Sequence, residues 1–80
     1  MKTIKIGEVS DINSPYRYLE VFLLDSATPF IDISVTDSEE LCFKFYPQKK
    51  DLILTFEDME HIISISKDFL PKAIADKDID

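Results

Sequence analysis

The sequence has little of what small proteins use for catalysis or for covalent cross-linking. It contains one cysteine, one histidine, one glycine and no tryptophan. Nucleophilic catalysis needs a nucleophile, a base and an orienting group, and no G-x-S-x-G motif accompanies Cys42 and His61. The chain also has no glycine-rich phosphate loop and no cofactor fingerprint. We therefore predict that it is not an enzyme and that it binds no cofactor and no metal.

The shortage of cysteine and of long apolar runs bears on location. Cys42 has no second cysteine with which to form a disulfide within the chain, which agrees with a reducing compartment. No apolar run approaches the roughly 20 residues that span a bilayer. The first residues, MKTIKIGE, lack the apolar segment of a signal peptide. The sequence therefore predicts a cytoplasmic protein without a membrane partner.

Basic residues are outnumbered. Nine Lys and Arg residues stand against sixteen Asp and Glu residues, which gives a formal net charge of −7. Nucleic-acid binding depends on Lys and Arg that neutralise phosphates, so we predict no direct nucleic-acid partner. An acidic surface attracts a basic protein, but it also keeps a small protein soluble. Net charge alone leaves both interpretations open.

The clearest pattern in the chain lies in residues 30–45. Apolar side chains occupy every second position, first at Ile31, Ile33 and Val35 and then, after a polar break, at Leu41, Phe43 and Phe45. Successive side chains of a strand point to opposite faces of the sheet. This stretch therefore predicts two strands of an antiparallel hairpin with one apolar face and one polar face.

Shorter patterns predict the remaining strands. Ile4 and Ile6 share one face of a first strand, in which Gly7 marks a bulge or the end. Residues 16–24 are apolar on both faces, which is typical of a central strand. The predicted strands cover about residues 2–9, 16–24, 29–36, 40–46 and 52–55, the last as a brief strand or an extended lead-in.

The C-terminal part predicts one amphipathic helix over about residues 56–75. Thr55 and Asp58 have the spacing of a capping box. Apolar residues then recur every three or four positions from Met59 to Ile74. Pro71 has no backbone N–H to donate, so we expect the helix to be kinked or broken near this residue.

These elements predict one α+β domain over residues 1–80. An antiparallel sheet of four to five strands would carry the helix on its apolar face. The polar face would then present acids among aromatics: Glu20 and Asp32 with Tyr18, Phe22, Phe30 and Tyr46. Aromatic anchors and steering charges suit a protein-binding surface. The alternative is an ordinary solvated face whose aromatics pack under the loop of residues 10–15.

Four segments resemble a known class of proteins. SPYRYLEV at residues 14–21, PFIDI at 29–33, FKFY at 43–46 and FLPKA at 69–73 look like segments of the small acidic immunity proteins of bacterial polymorphic-toxin and contact-dependent growth-inhibition systems. The resemblance implies an antitoxin that binds the toxic domain of a secreted toxin, often a basic nuclease, and blocks its active site. It transfers no binding residue position by position.

Candidate contacts to such a partner come from charge and pattern. The acids are Glu20, Asp32, Glu39, Glu40, Glu57, Asp58 and Glu60, and the aromatic anchors are Tyr18, Phe22 and Tyr46. The alternative function is a small non-catalytic interaction or regulatory module that acts as a homodimer, through the aromatic sheet face or a free strand edge. A weak homodimer is compatible with the antitoxin function as well as with this alternative.

Overall fold

Residues 3–76 form a four-stranded antiparallel sheet followed by one helix. A computed structural model describes residues 3–76. The elements are β1 (Ile4–Val9), β2 (Tyr18–Leu23), β3 (Ile31–Val35), β4 (Leu41–Phe45) and α1 (Phe56–Ala75). The strands lie side by side in chain order, and each neighbouring pair is antiparallel. The predicted α+β class, with a C-terminal helix, is confirmed.

The helix α1 packs on the apolar face of the sheet. Its buried stripe contains Ile62, Phe69 and Ala73, together with Ser66, whose hydroxyl donates to the Ile62 carbonyl at 2.6 Å. The buried sheet residues beneath it are Ile4, Leu19, Val21, Ile31 and Ile33, and Phe30 joins the same cluster. Burying one such aliphatic side chain stabilises the fold by about 1.5–3 kcal/mol, so this single layer contact supplies most of the core.

The helix α1 begins with the predicted capping box and continues through Pro71. The Thr55 side chain accepts from the Asp58 N–H, and the Asp58 side chain accepts from the Thr55 N–H, which completes the predicted capping box. Pro71 lies inside the helix, which runs on to Ala75, so the expected break does not occur. Pro71 and Lys67, whose carbonyl loses its usual donor, are both exposed, so water can satisfy that carbonyl.

Of the two alternatives for residues 52–55, the structure has the lead-in to the helix and not a fifth strand, because the chain leaves the sheet after β4; Leu52 and Leu54 pack against the core. Two details differ from the sequence prediction. Gly7 lies within β1, in register opposite Glu20, so it is neither a bulge nor an end. Phe30 is 2% exposed and belongs to the core, because it sits in the bend before β3 rather than in the alternating strand. Residues 1–2 and 77–80 of the predicted domain lie outside the described residues.

One buried carboxylate joins the first strand to the helix start. Asp58 is 0% exposed. Its Oδ2 accepts from the Thr3 hydroxyl at 2.7 Å and from the Thr55 N–H at 3.2 Å, and its Oδ1 accepts from the Thr3 N–H at 3.3 Å. The hydrogen bond from the Thr3 hydroxyl is the largest cause that lowers the pKa of Asp58 to about 2; burial opposes this shift, and the bonds from Thr55 and the Thr3 backbone add to it.

The Asp58 contacts predict a specific loss of stability in acid. The folded pKa of about 2 lies below the unfolded value near 4, so the contribution is complete above about pH 4 and is lost as the pH falls toward 2. We expect Asp58→Asn to be less stable than wild type at neutral pH and to approach it near pH 2. Urea denaturation across this range measures the difference. Thr3→Val, which keeps the carboxylate but removes its main donor, should reduce the same pH dependence. A wild-type-to-Asn difference that is constant with pH would contradict this account.

The β3–β4 hairpin contains the only non-glycine residue with positive φ among residues 3–76. Glu39 has φ of 65°. Its N–H donates to the Thr36 carbonyl at 2.9 Å, and the Thr36 N–H donates to the Glu40 carbonyl at 2.8 Å. This is a three-residue hairpin loop whose last position is left-handed, a position that glycine occupies without steric cost.

Glu39→Gly should therefore stabilise the protein by about 0.5–1 kcal/mol, because it removes the side chain from a left-handed position. Chemical denaturation measures the change. Asp37→Gly in the same turn is the matched control; it lacks the positive φ and should be neutral or destabilising through the added freedom of the unfolded chain. Equal effects of the two variants would contradict the strain argument.

Candidate protein-binding face

The sheet face opposite α1 carries most of the candidate contacts from the sheet. We call it the open face. It consists of the outward-pointing residues of the four strands and the residue after β4: Lys5, Gly7, Val9, Tyr18, Glu20, Phe22, Asp32, Ser34, Cys42, Lys44 and Tyr46. Tyr18, Glu20, Phe22, Asp32 and Tyr46 are each half-buried, because they pack against one another rather than under a second layer.

Two carboxylates stand side by side at the centre of the open face. The strand register places Glu20 directly opposite Asp32. Within residues 3–76, no cationic group lies within ion-pair distance of either carboxylate; the ion pair that does form joins Arg17 and Glu8 at 3.5 Å. Like charges directly across two strands are destabilising. The arrangement therefore does not serve stability.

The Asp32 carboxylate is only half satisfied. Its Oδ2 accepts a short hydrogen bond from the Tyr46 hydroxyl. Its Oδ1 is buried and has no hydrogen-bond partner among the described residues. A buried acceptor without a partner is destabilising relative to one in water. Because one oxygen of Asp32 is buried and the other is bound to Tyr46, Glu20 is the carboxylate that a partner could reach. The Asp32 charge contributes to the negative electrostatic potential of the open face.

The pKa values of Tyr46 and Tyr18 are raised in part by this negative potential. The hydrogen bond to Asp32 is the main cause that raises the pKa of Tyr46 to about 12; desolvation and the charges of Asp32 and Glu20 add to it. Desolvation raises the pKa of Tyr18 as well, followed by the charges of Glu20, Asp32 and Asp11. A second negative charge is thus disfavoured at the centre of the open face, which is where a cation would be favoured.

Two lysines cover aromatic rings at the edges of the open face. The Lys5 Nζ lies 5.5 Å from the centroid of the Phe22 ring, and the Lys44 Nζ lies 5.0 Å from that of Tyr46. Lys44 also stands opposite Asp32 in the register, yet its ammonium rests on the tyrosine ring. The open face is therefore acidic at its centre and basic at two corners, rather than acidic throughout.

The other candidate acids lie on different parts of the molecule. Glu39 and Glu40 are exposed in the β3–β4 turn, and Glu57 and Glu60 are exposed on α1, across the molecule from the open face. No flat partner surface could contact all of these positions at once. Asp58 is not a contact, since it is fully buried beneath Thr3 and Thr55.

Six residues of the open face were not among the candidates, although their parity in the strands places them there: Lys5, Gly7, Val9, Ser34, Cys42 and Lys44. Lys5 and Lys44 matter because they bring positive charge to the open face. Gly7 matters because it has no side chain directly beside Glu20: a Cβ at this position would meet only the Phe22 ring, at 4.0 Å. It leaves a shallow space on the edge strand β1, beside Glu20.

Other kinds of site are not evident in residues 3–76. This part of the chain contains no group of three or more His, Cys, Asp or Glu residues that could hold a metal ion. Across the same residues, no helix is both long enough and apolar enough to cross a membrane. Comparison of the chain with protein-family models, with curated proteins and with solved structures gives no match.

The Tyr46–Asp32 contact can be read by titration. In an absorbance titration of the tyrosines we expect one component near pH 12, which Tyr46→Phe should remove and Asp32→Asn should shift toward 10. The stability that this contact contributes is complete below about pH 10 and is lost between about 10 and 12, because the folded pKa lies above the unfolded one. An Asp32→Asn titration identical to that of wild type would contradict the hydrogen bond.

Proposed function

We propose that this protein is an immunity protein, a cytoplasmic antitoxin that binds and neutralises a basic toxin domain through the open face. The observation that carries the proposal is the Glu20–Asp32 pair of carboxylates, which has no cationic partner within residues 3–76. It lies among aromatic side chains on a sheet face that α1 does not cover. The resemblance of the four sequence segments to immunity proteins supplies the antitoxin role, and the net charge of −7 favours a basic partner.

A cation of the partner would reduce the repulsion between the two carboxylates of the open face. Glu20 and Asp32 repel each other in the free protein, and within residues 3–76 no lysine or arginine is paired with either. An arginine or lysine of the partner that approaches Glu20 removes this repulsion, so part of the cost of placing the two acids together is regained on binding. Surfaces that are suboptimal for stability in this way are typical of functional sites.

The aromatic residues suit tight rather than transient binding. Tyr18, Phe22 and Tyr46 lie on or next to hydrogen-bonded strands, and two of them are already held, Phe22 under Lys5 and Tyr46 by Asp32. Little side-chain entropy remains to be lost when a partner contacts them. Tyrosine is among the residue types that are enriched at interface hot spots.

The test is capture followed by inhibition. The full chain is immobilised, basic proteins are captured from a lysate of the native host at low salt, and each is assayed for toxic or nuclease activity with and without added wild-type protein. We expect a captured protein whose activity is abolished at a one-to-one ratio. Glu20→Lys with Asp32→Lys should slow its association about tenfold or more and flatten the salt dependence, because the steering charge is reversed.

Two further variants separate position from net charge. Glu60→Lys with Asp68→Lys makes the same change in net charge on the exposed face of α1 and should preserve inhibition. Gly7→Thr adds no charge, should stabilise β1 because threonine favours strands, and should weaken binding by filling the space beside Glu20. An association rate that the Glu20 and Asp32 reversals leave unchanged would remove the open face from consideration. A captured partner without toxic activity would contradict the antitoxin role.

A further inference from the structure

A second surface, on the other side of the sheet, is also uncovered. The side chains of β4 that point toward α1 are poorly covered by it: Phe43 is 40% exposed and Phe45 is 60% exposed. Between β4 and α1 lies a groove of about 250 Å³ lined only by apolar side chains, which we call the β4 groove: Ile31, Phe43, Phe45, Met59, Ile62 and Ile63. Phe56, 78% exposed on the first turn of α1, extends the apolar area.

A free strand edge borders the same groove. Among the strands of residues 3–76, β4 has a neighbour on one side only. The Thr36 N–H donates to Glu40 and the Tyr46 N–H donates to Phe30, so the alternation of an antiparallel pair directs the backbone groups of Leu41, Phe43 and Phe45 away from β3. Unpaired backbone groups thus lie beside an exposed apolar area, and both are satisfied together by another strand.

The other edge of the sheet is protected. β1 carries the charged residues Lys5 and Glu8, and its first apolar residue, Ile4, is 4% exposed. Charged side chains on an edge strand and covered apolar residues discourage pairing with another chain. Of the two edges, only β4 combines unpaired backbone with uncovered phenylalanines.

The charges at the two ends of β4 indicate which strand fits. The turn before β4 is acidic, with Asp37, Glu39 and Glu40. The segment after β4 is net basic, with Lys49 and Lys50 against the single acid Asp51. In an antiparallel pair of two identical strands, the start of each strand meets the end of the other. The acidic end of one copy would therefore lie near the basic end of the second copy, twice.

We propose that β4 pairs antiparallel with β4 of a second copy of this chain, so that one sheet runs through both copies and the β4 grooves close on each other. A two-fold axis at Phe43 places Leu41 opposite Phe45 of the second copy. The backbone groups of Leu41, Phe43 and Phe45 that point away from β3 then all form hydrogen bonds with the second copy. It also places Lys44 opposite Cys42 of the second copy rather than opposite itself, which avoids a like-charge pair. This pairing needs nothing from the open face.

The apolar groove and the matched ends must outweigh a general repulsion. Each copy has a net charge of −7, which opposes self-association. The four phenylalanines at positions 43 and 45 of the two copies would lie between the two α1 helices, where neither helix alone can cover them. Burial of this apolar area supplies the association energy, and the charged ends fix the antiparallel direction.

Sedimentation of the full wild-type chain tests the pairing. We expect a monomer–dimer equilibrium with dimer predominant by about 100 µM. Phe45→Lys should yield monomer at that concentration, with its fold checked by circular dichroism. Ile12→Lys, the same kind of change at a fully exposed loop position, should leave the dimer intact. A wild-type chain that stays monomeric would overturn the proposal, as would a dimer that Phe22→Lys dissociates and Phe45→Lys does not.

A charge swap distinguishes paired ends from net charge. Asp37→Lys with Glu39→Lys moves the net charge toward neutrality, so repulsion between net charges alone predicts a stronger dimer. The proposed pairing instead predicts that this double variant dimerises about tenfold more weakly, because both contacts between the strand ends become repulsive. Lys49→Glu with Lys50→Glu should weaken it likewise, and the four substitutions together should restore it to within about threefold of wild type. A combined variant no stronger than its parents would overturn the antiparallel arrangement.

Oxidative cross-linking reads the register directly. In the proposed pairing, positions 42 and 44 of the two copies face each other as a non-hydrogen-bonded pair, with Cα atoms about 4.5 Å apart, which a disulfide can bridge. Lys44→Cys should therefore form a covalent dimer through the native Cys42 under mild oxidation, and wild type should not. Cross-linking of wild type through Cys42 alone, or none in the variant, would overturn the register centred on Phe43.

Discussion

The width of one helix limits how much of this sheet can be buried. A helix with its side chains is about 10–12 Å across, and neighbouring strands lie about 4.8 Å apart. One helix therefore covers about two or three strands, whereas this sheet has four. The helix stripe lies over β1, β2 and β3, where every fully buried strand residue is found. The consequence is an apolar strip on β4 that residues 3–76 leave exposed.

The helix is held over β1 to β3 by polar contacts at its first turn. The Asp58 carboxylate binds Thr3, the residue before β1, and Thr55, the helix cap, so one buried group fixes the start of α1 against the far edge strand from β4. A hydrogen bond to a charged group is worth more than one between neutral groups. The joint thus fixes the start of α1 to the residue before β1. On the opposite edge strand, Phe45 is more exposed than any residue at the corresponding positions of β2 and β3.

Much of the fold was predictable because apolar residues repeat regularly in the sequence, at every second position in the strands and every third or fourth position in the helix. Alternation in residues 31–45 and the three-and-four spacing after Thr55 specify the strands, the helix and the face on which they meet. What was missed depended on position in three dimensions. Asp58 has the same local sequence whether its carboxylate points to water or to Thr3, so its burial could not be read from the helix pattern. Phe30 lies outside the strand by one residue, and the bend there turns it into the core.

The candidate surface was only partly predictable for the same reason. Strand parity correctly grouped Tyr18, Glu20, Phe22 and Asp32 on one face, because parity needs no knowledge of the neighbouring strand. The pairing of Glu20 with Asp32, and the positions of Lys5 and Lys44 over aromatic rings, follow from the register between strands. Register depends on turn geometry and on the buried face together. No pattern within a single strand contains it.

The two proposed surfaces are compatible because they use different sides and different forces. Antiparallel pairing of two β4 strands has its two-fold axis perpendicular to the sheet, so the two helices stay on one side and the two open faces lie next to each other on the other. Apolar burial holds the copies together on the helix side, and paired carboxylates with aromatics face outward on the opposite side. A dimer would thus present two binding faces in one plane, and a partner with two basic sites would gain affinity from binding both, without any new contact. A partner with one site would instead fill each face independently, so the stoichiometry of the complex follows from the partner's own symmetry.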